Sequence, residues 1–182
     1  MKEYASYLIV QTTIVLIPWF AAHGELFSII IEGELKFMVR KSPRKIIEES
    51  LLSYGSEWKG ALKAAKHNLG DHYMPPIKIS GLHGLYFIPD QSPYNPGCSF
   101  ISLHHVVGTQ AAEKSTSILL QGGHRITIKM KEKSFREKWN RAKEYKQKME
   151  QKREGQQEVQ ETIPGFSIVK EDGALNYRIF DE

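Results

Sequence analysis

"NPGCSFISLHHVVG", residues 95–108, decides how the chain is read, because it holds the single cysteine and two of the seven histidines. If those residues act together, the stretch is a metal site or a thiol nucleophile with its base. If they do not, it is a piece of sheet. The run is rich in β-branched and aromatic residues and is bounded by Asn, Pro and Gly, the pattern of a strand. Successive side chains of a strand point to opposite faces, so His104 and His105 diverge. Cys98 and His104 share a face but stand about 20 Å apart at ~3.3 Å per residue. Zinc holds its ligands within about 2.3 Å, so this pair does not chelate locally. The stretch predicts a strand with a cysteine packed as a small hydrophobe.

The surroundings read the same way. "PPIKIS", "GLYFIP", "TSILLQ" and "RITIKMK" are short β-type runs separated by Gly, Pro, Asn or Ser, and Gln121-Gly122-Gly123-His124 is a strong hairpin turn. Upstream, "FSIII" and "LKFMV" flank Glu32-Gly33-Glu34, a second hairpin. The apolar start "YLIVQTTIVLIPWF", Tyr7 to Phe20, is interrupted by Gln11, Thr12, Thr13 and Pro18, short of the ~20 apolar residues a membrane span needs. It predicts two buried strands. No small-residue cleavage site follows it, so a signal peptide is not expected.

Two helices are expected. Ser42 caps the first and Pro43 opens it, over about 43–54; Ile46, Ile47, Ser50, Leu51 and Tyr54 form its buried face and Gly55 closes it. "SEWKGALKAAKHNLGDHYM" reads as helix or ordered loop, with Gly60 weakening the helix. Ser134 is expected to cap a long helix over about 135–153, with Phe135, Trp139, Ala142, Tyr145 or Lys146, and Met149 on one face. The fold class is α+β, a mostly antiparallel sheet with a short helix and a long basic one. Residues 1–153 are expected to form a single domain. Residues 154–182 are expected to form a polar linker ("EGQQEVQET") and an acidic tail, with a terminal hairpin around Asp172-Gly173.

The 182 residues carry a net charge of only +4, unevenly spread. From Lys129 to Arg153 there are eleven Lys or Arg against four Glu; from Gly155 to Glu182 there are six acids against two bases. A basic segment before an acidic tail points to a polyanion partner. One cysteine forms no internal disulfide, which fits a reducing, cytoplasmic setting. His23, His67, His72, His83 and His124 lack ligand spacing, and the glycines form neither a P-loop nor a dinucleotide motif. No metal or cofactor is called for.

Basic residues interleave with aromatics instead. Lys59, Lys63 and Lys66 fall on one stripe if that segment is helical, beside Trp58 and His67. Arg136, Lys138, Arg141, Lys143, Lys146 and Lys148 are expected on the long helix opposite its apolar stripe. Such faces give salt-dependent phosphate contacts, and a solvated charged surface has the same composition.

The motifs resemble those of the ComK family of competence transcription factors. "YGSEWKG" (Tyr54–Gly60), "PPI" (Pro75–Ile77) and "LYFIP" (Leu85–Pro89) fit that pattern. So does the arrangement of Cys98, Ile101, Ser102, His105 and Val106; a looser match runs through Gly122-Gly123 and Ser134-Phe135. The resemblance spans roughly residues 43–149. It implies a non-enzymatic, sequence-specific DNA-binding activator of competence genes. Such a protein binds AT-rich boxes of double-stranded DNA mainly through the minor groove, as a homodimer or dimer of dimers, and acts on RNA polymerase. Trp58, Lys59, Lys63, Lys66, Arg136, Lys138, Arg141 and Lys143 are then the expected DNA-binding residues. At Ala61 the chain departs from the pattern, which places arginine after the glycine. A proteolytic adaptor docks on the family's tail, and the acidic tail here lacks the motif expected for it. The readings from other classes are a small cysteine- or histidine-dependent enzyme and an adaptor that turns its basic helix to an acidic protein.

Overall fold

The computed structural model describes residues 1–157, 166–169 and 178–181. The strands are β1 (Glu3–Tyr4), β2 (Thr13–Phe20), β3 (Leu26–Glu32), β4 (Leu35–Val39), β5 (Ile77–Ser80), β6 (Leu85–Pro89) and β7 (Phe100–Ser102), then β8 (Val106–Ala112), β9 (Ser115–Leu120) and β10 (Arg125–Ile128), and finally β11 (Phe166–Val169) and β12 (Arg178–Asp181). The helices are α1 (Pro43–Ser53), α2 (Trp58–Leu69) and α3 (Glu132–Gln157). The class is α+β, as expected.

Seven strands form one sheet in the order β1-β4-β3-β2-β7-β6-β5, antiparallel except for the β1–β4 pair. β8, β9 and β10 form a separate antiparallel sheet with β9 in the centre. The chain divides into two compact units, Met1–Met149 and Glu150–Glu182. The second contains the antiparallel pair β11 and β12, with Phe166 opposite Asp181. The turn expected at Asp172-Gly173 and most of the expected linker lie outside the described residues.

Alternation explains the layers. In β6 every residue is buried: Leu85 and Phe87 join one core, Tyr86 and Ile88 the other. The first core collects Leu16, Ile30, Phe37 and Phe100 from the sheet against Ile46, Ile47 and Leu51 of α1 and Trp58 and Ala61 of α2. The second collects Val15, Ile88 and Ile101 with Ile118, Leu120 and Ile128 of the small sheet, closed by Phe135, Ala142 and Tyr145 of α3. Each large apolar side chain so buried contributes about 1.5–3 kcal/mol. α2 packs on the edge strand β5, its Trp58 and Ala61 joining Ile77 and Ile79 in the first core.

α1 forms as its sequence dictates: the Ser42 side chain accepts from the Lys45 amide, Pro43 opens the helix, and Gly55 takes φ 76° just beyond it. Gly122 and Gly123 take φ 74° and 78° in the turn between β9 and β10, a conformation that side chains with a Cβ resist.

Four expectations need correction. The 95–108 stretch is not one strand: β7 ends at Ser102, a 3-10 turn takes Leu103–His105, and β8 begins at Val106. That turn carries the chain from the large sheet to the small one, which strand propensity alone does not register. The start of the chain gives one partly buried strand, β2, and a two-residue exposed strand, β1. Ser134 lies inside α3, which begins at Glu132. The same helix runs on through Gly155 to Gln157, into what reads as linker. Among the described residues no helix is long and apolar enough to cross a membrane.

Candidate nucleic-acid interface

α2 is a helix because Trp58, Ala61, Leu62, Ala65 and Leu69 repeat at helical spacing, and it ends at Gly70, whose amide bonds the Lys66 carbonyl at 2.8 Å. Its buried side is Trp58, Ala61 and Ala65. The opposite side carries Lys59, Lys63, Lys66 and His67, all exposed. Lys66 pairs with Asp71 at 2.7 Å and holds that carboxyl below its usual range. Lys59 and Lys63 make no ion pair among the described residues. The expected stripe therefore exists, with two of its three cations directed to solvent alone.

Trp58 takes another place. It is 8% exposed, with the Arg44 guanidinium 5.0 Å from its ring centroid and Tyr94 edge-on at 6.3 Å. Arg44 lies equally over Tyr94, at 4.6 Å, and pairs with Glu48 at 2.8 Å. The indole is thus a platform beneath α1 and α2, closed to a nucleic acid. Ala61, where the family pattern has arginine, is 4% exposed in the same core, so this position presents nothing outward.

α3 offers a thinner set of cations than its composition suggests. Arg136 is spent on Glu132 and the Thr109 hydroxyl, both at 3.1 Å, tying the helix start to β8. Thr109 donates to the same Glu132 carboxylate at 2.6 Å, and that bond comes first in holding Glu132 below its usual range. Lys143 stands 3.6 Å from the Trp139 ring centroid with its chain exposed. Arg141 is half-buried. Lys148 donates to the Asn68 carbonyl at 3.1 Å and pairs with Glu144 at 2.6 Å, which fastens α3 to the end of α2.

Lys138 does not face outward. It is 8% exposed and donates to the Pro89 carbonyl at 3.0 Å and towards the Met74 sulfur at 3.6 Å. Burial pushes its ammonium down to about 8, against the pull of the nearby Cys98 and Asp90. The reason is position: Lys138 lies three residues after Phe135 and four before Ala142, on the stripe that packs inward.

Cys98 is 2% exposed, and burial pushes its thiol up to about 12. The sulfur donates to the Ser99 and Gln91 carbonyls at 3.4 and 3.5 Å. Asp90 accepts from the Ser99 amide at 2.8 Å and is raised by its own burial. A thiol protonated to that degree is a poor nucleophile. His105 bridges the Gln11 carbonyl and the Gln121 side chain, both at 2.7 Å, while His104 is exposed. Among the described residues no group of three His, Cys, Asp or Glu is placed to hold a metal ion.

Sequence reasoning passes over Arg125 and Lys129. The signal is present in "RITIK", where Arg125, Thr127 and Lys129 alternate with Ile126 and Ile128. In the small sheet the two isoleucines turn inward and the other three residues are exposed.

Residues 4–154 match the family model described as "ComK protein", which reaches further towards the start of the chain than the motifs do. The competence transcription factor of Bacillus subtilis (strain 168) is 27% identical over 131 residues, covering 71% of this chain and 68% of that one. No solved structure matches.

Proposed function

The chain belongs to the ComK family, and from that premise we propose that it is a DNA-binding transcriptional activator of competence genes, working in the cytoplasm on RNA polymerase. It reads AT-rich boxes mainly through the minor groove, as a homodimer or dimer of dimers, with residues 1–153 as the DNA-binding domain. The observation that carries the DNA reading is the exposed α2 stripe, with Lys59 and Lys63 outside any ion pair among the described residues. Narrow A-tract grooves concentrate negative potential, and compact cations on a helix answer it. Lys66, Arg136, Arg141 and Lys143 add phosphate contacts, the first two by exchanging their carboxylate partners Asp71 and Glu132 for phosphate. Trp58 and Lys138, being buried, act through packing.

The test is binding to duplexes carrying spaced A-tract and T-tract boxes, and to the same duplexes with inosine·cytosine in place of adenine·thymine. The two pairs are nearly alike in the minor groove and differ in the major groove. Affinity that survives the exchange supports the reading; affinity abolished by it points to the major groove.

A further inference from the structure

The small sheet has two unlike faces. Register sets one face as Gly108, Gln110 and Ala112 of β8, Ser115, Ser117 and Leu119 of β9, and Arg125 and Thr127 of β10. The other carries Thr116, Ile118, Leu120 and Ile128 and is buried. On the outer face every polar group is a hydroxyl, an amide or a cation. From Gly108 to Lys131 the chain holds four Lys or Arg and one acid, Glu113, at the β8–β9 tip. Gln110 and Arg125 sit diagonally across β9, with a guanidinium nitrogen 3.4 Å from the amide oxygen.

Gly108 adds a second observation. Its φ is not positive, and a Cβ built on it meets nothing within 4 Å. Neither backbone conformation nor internal packing demands glycine there, although an irregularity in the ladder precedes it. A glycine at such an irregularity, with open space where a Cβ would stand, leaves the backbone accessible to an approaching ligand.

We propose that this face is a second DNA-contacting surface, with Gln110 and Arg125 entering a groove and Lys114 and Lys129 meeting phosphates. This rests on the DNA-binding reading of the chain. Sheets do dock in DNA grooves, and Gln and Arg are among the side chains that minor-groove proteins use. The short Ser115, Ser117 and Thr127 keep the face low enough for the sugar edges to approach. Charge selects the occupant: a second copy of the chain laid on the same face by a two-fold axis sets Arg125 and Lys129 against their own kind, whereas a polyanion neutralises them.

The test measures fluorescence anisotropy of AT-rich duplex with the parent, Arg125→Ala, Arg125→Glu and Gly108→Val, with Arg40→Ala, just beyond the far strand β4, as a control. Melting temperature checks the fold, and sedimentation checks the mass. Arg125→Ala is expected to weaken binding about fivefold and to lower the slope of log affinity against log salt by about 0.9. Arg125→Glu and Gly108→Val are expected to weaken binding more than tenfold with unchanged melting, and Arg40→Ala to bind like the parent. If the parent itself fails to bind, the reading of the chain falls and this surface with it. If the parent binds and the Arg125 and Gly108 variants stay within twofold, this surface is overturned while the α2 reading stands. Loss of self-association in Arg125→Glu, with DNA affinity kept, assigns the face to a second copy and also overturns it.

Discussion

The Lys138 ammonium donates to the Pro89 carbonyl at 3.0 Å from inside the core that α3 closes. Unfolded, this lysine titrates near its ordinary value of 10.5; folded, burial brings it to about 8. Between those values the unfolded chain keeps a proton that the folded chain has lost. Stability therefore rises with pH across that window, and the whole cost, on the order of 3 kcal/mol, is present below it. Replacing a buried charge by a hydrophobe of similar length is often neutral or stabilising. Lys138→Met is expected to gain about 1–2 kcal/mol in urea unfolding at pH 7 and to lose that advantage by about pH 9.5. Cys98→Ala in both backgrounds removes the Cys98 contribution, which falls with pH above about 9 and is coupled to Lys138. DNA affinity should stay within twofold; a tenfold drop with intact folding returns Lys138 to the interface.

Cys98 is expected to be chemically silent in the folded protein. With its thiol pushed up to about 12 and 2% exposed, almost no thiolate exists at pH 8. A disulfide reagent should then react only as fast as the protein opens, and urea should accelerate it. Cys98→Ala should cost about 1–2 kcal/mol through reduced burial and leave DNA binding as it is. A fast native reaction, or activity lost at unchanged melting temperature, shows a thiol that does chemistry.

What could be read from sequence follows from how local each cause is. The α1 boundaries depend on Ser42, Pro43 and Gly55 alone, and the β9–β10 turn on Gly122 and Gly123, so both are legible. "LYFIP" is uniformly apolar because β6 is buried on both faces, and that too is written in its residues. The crossing at Leu103–His105 is not legible, because Leu, His and the neighbouring valines suit a strand whichever sheet they join. For the site, the α2 stripe is legible because its helical spacing survives in the structure. Lys138 misleads for the opposite reason: residue type says solvent, while its spacing from Phe135 and Ala142 says core, and packing wins. Arg125 is legible only once the period-two pattern of β10 is read as two faces.

His105 should prove structural. Its Nε2 faces the Gln11 carbonyl, which only accepts, so Nε2 carries a proton and donates. The ring holds the 3-10 turn between the sheets against the residues before β2. His105→Ala removes both bonds and leaves a void, and is expected to cost about 2–4 kcal/mol by chemical denaturation. His104→Ala, an exposed change beside it, should cost less than about 0.5 kcal/mol. Equal costs show that the His105 bridges carry no stability.

The last prediction separates the two helices. Lys63 is exposed on α2 outside any ion pair among the described residues, so its removal costs the fold little and a bound duplex much. Every phosphate that a variant no longer neutralises lowers the slope of log affinity against log salt by about 0.9. A cation that reads groove width also contributes to the preference for AT-rich sequence, since potential is deepest where the groove is narrow. Lys63→Ala is therefore expected to weaken AT-rich binding several-fold and to narrow the margin over mixed sequence. Arg141 on α3 is half-buried. Arg141→Ala is expected to weaken all duplexes alike or to disturb self-association, leaving the ratio between sequences unchanged. Titration of both variants against AT-rich and mixed duplexes at three salt concentrations decides it. If Lys63→Ala matches the parent while Arg141→Ala loses discrimination, the groove lies against α3 and the stripe on α2 is an ordinary solvated face.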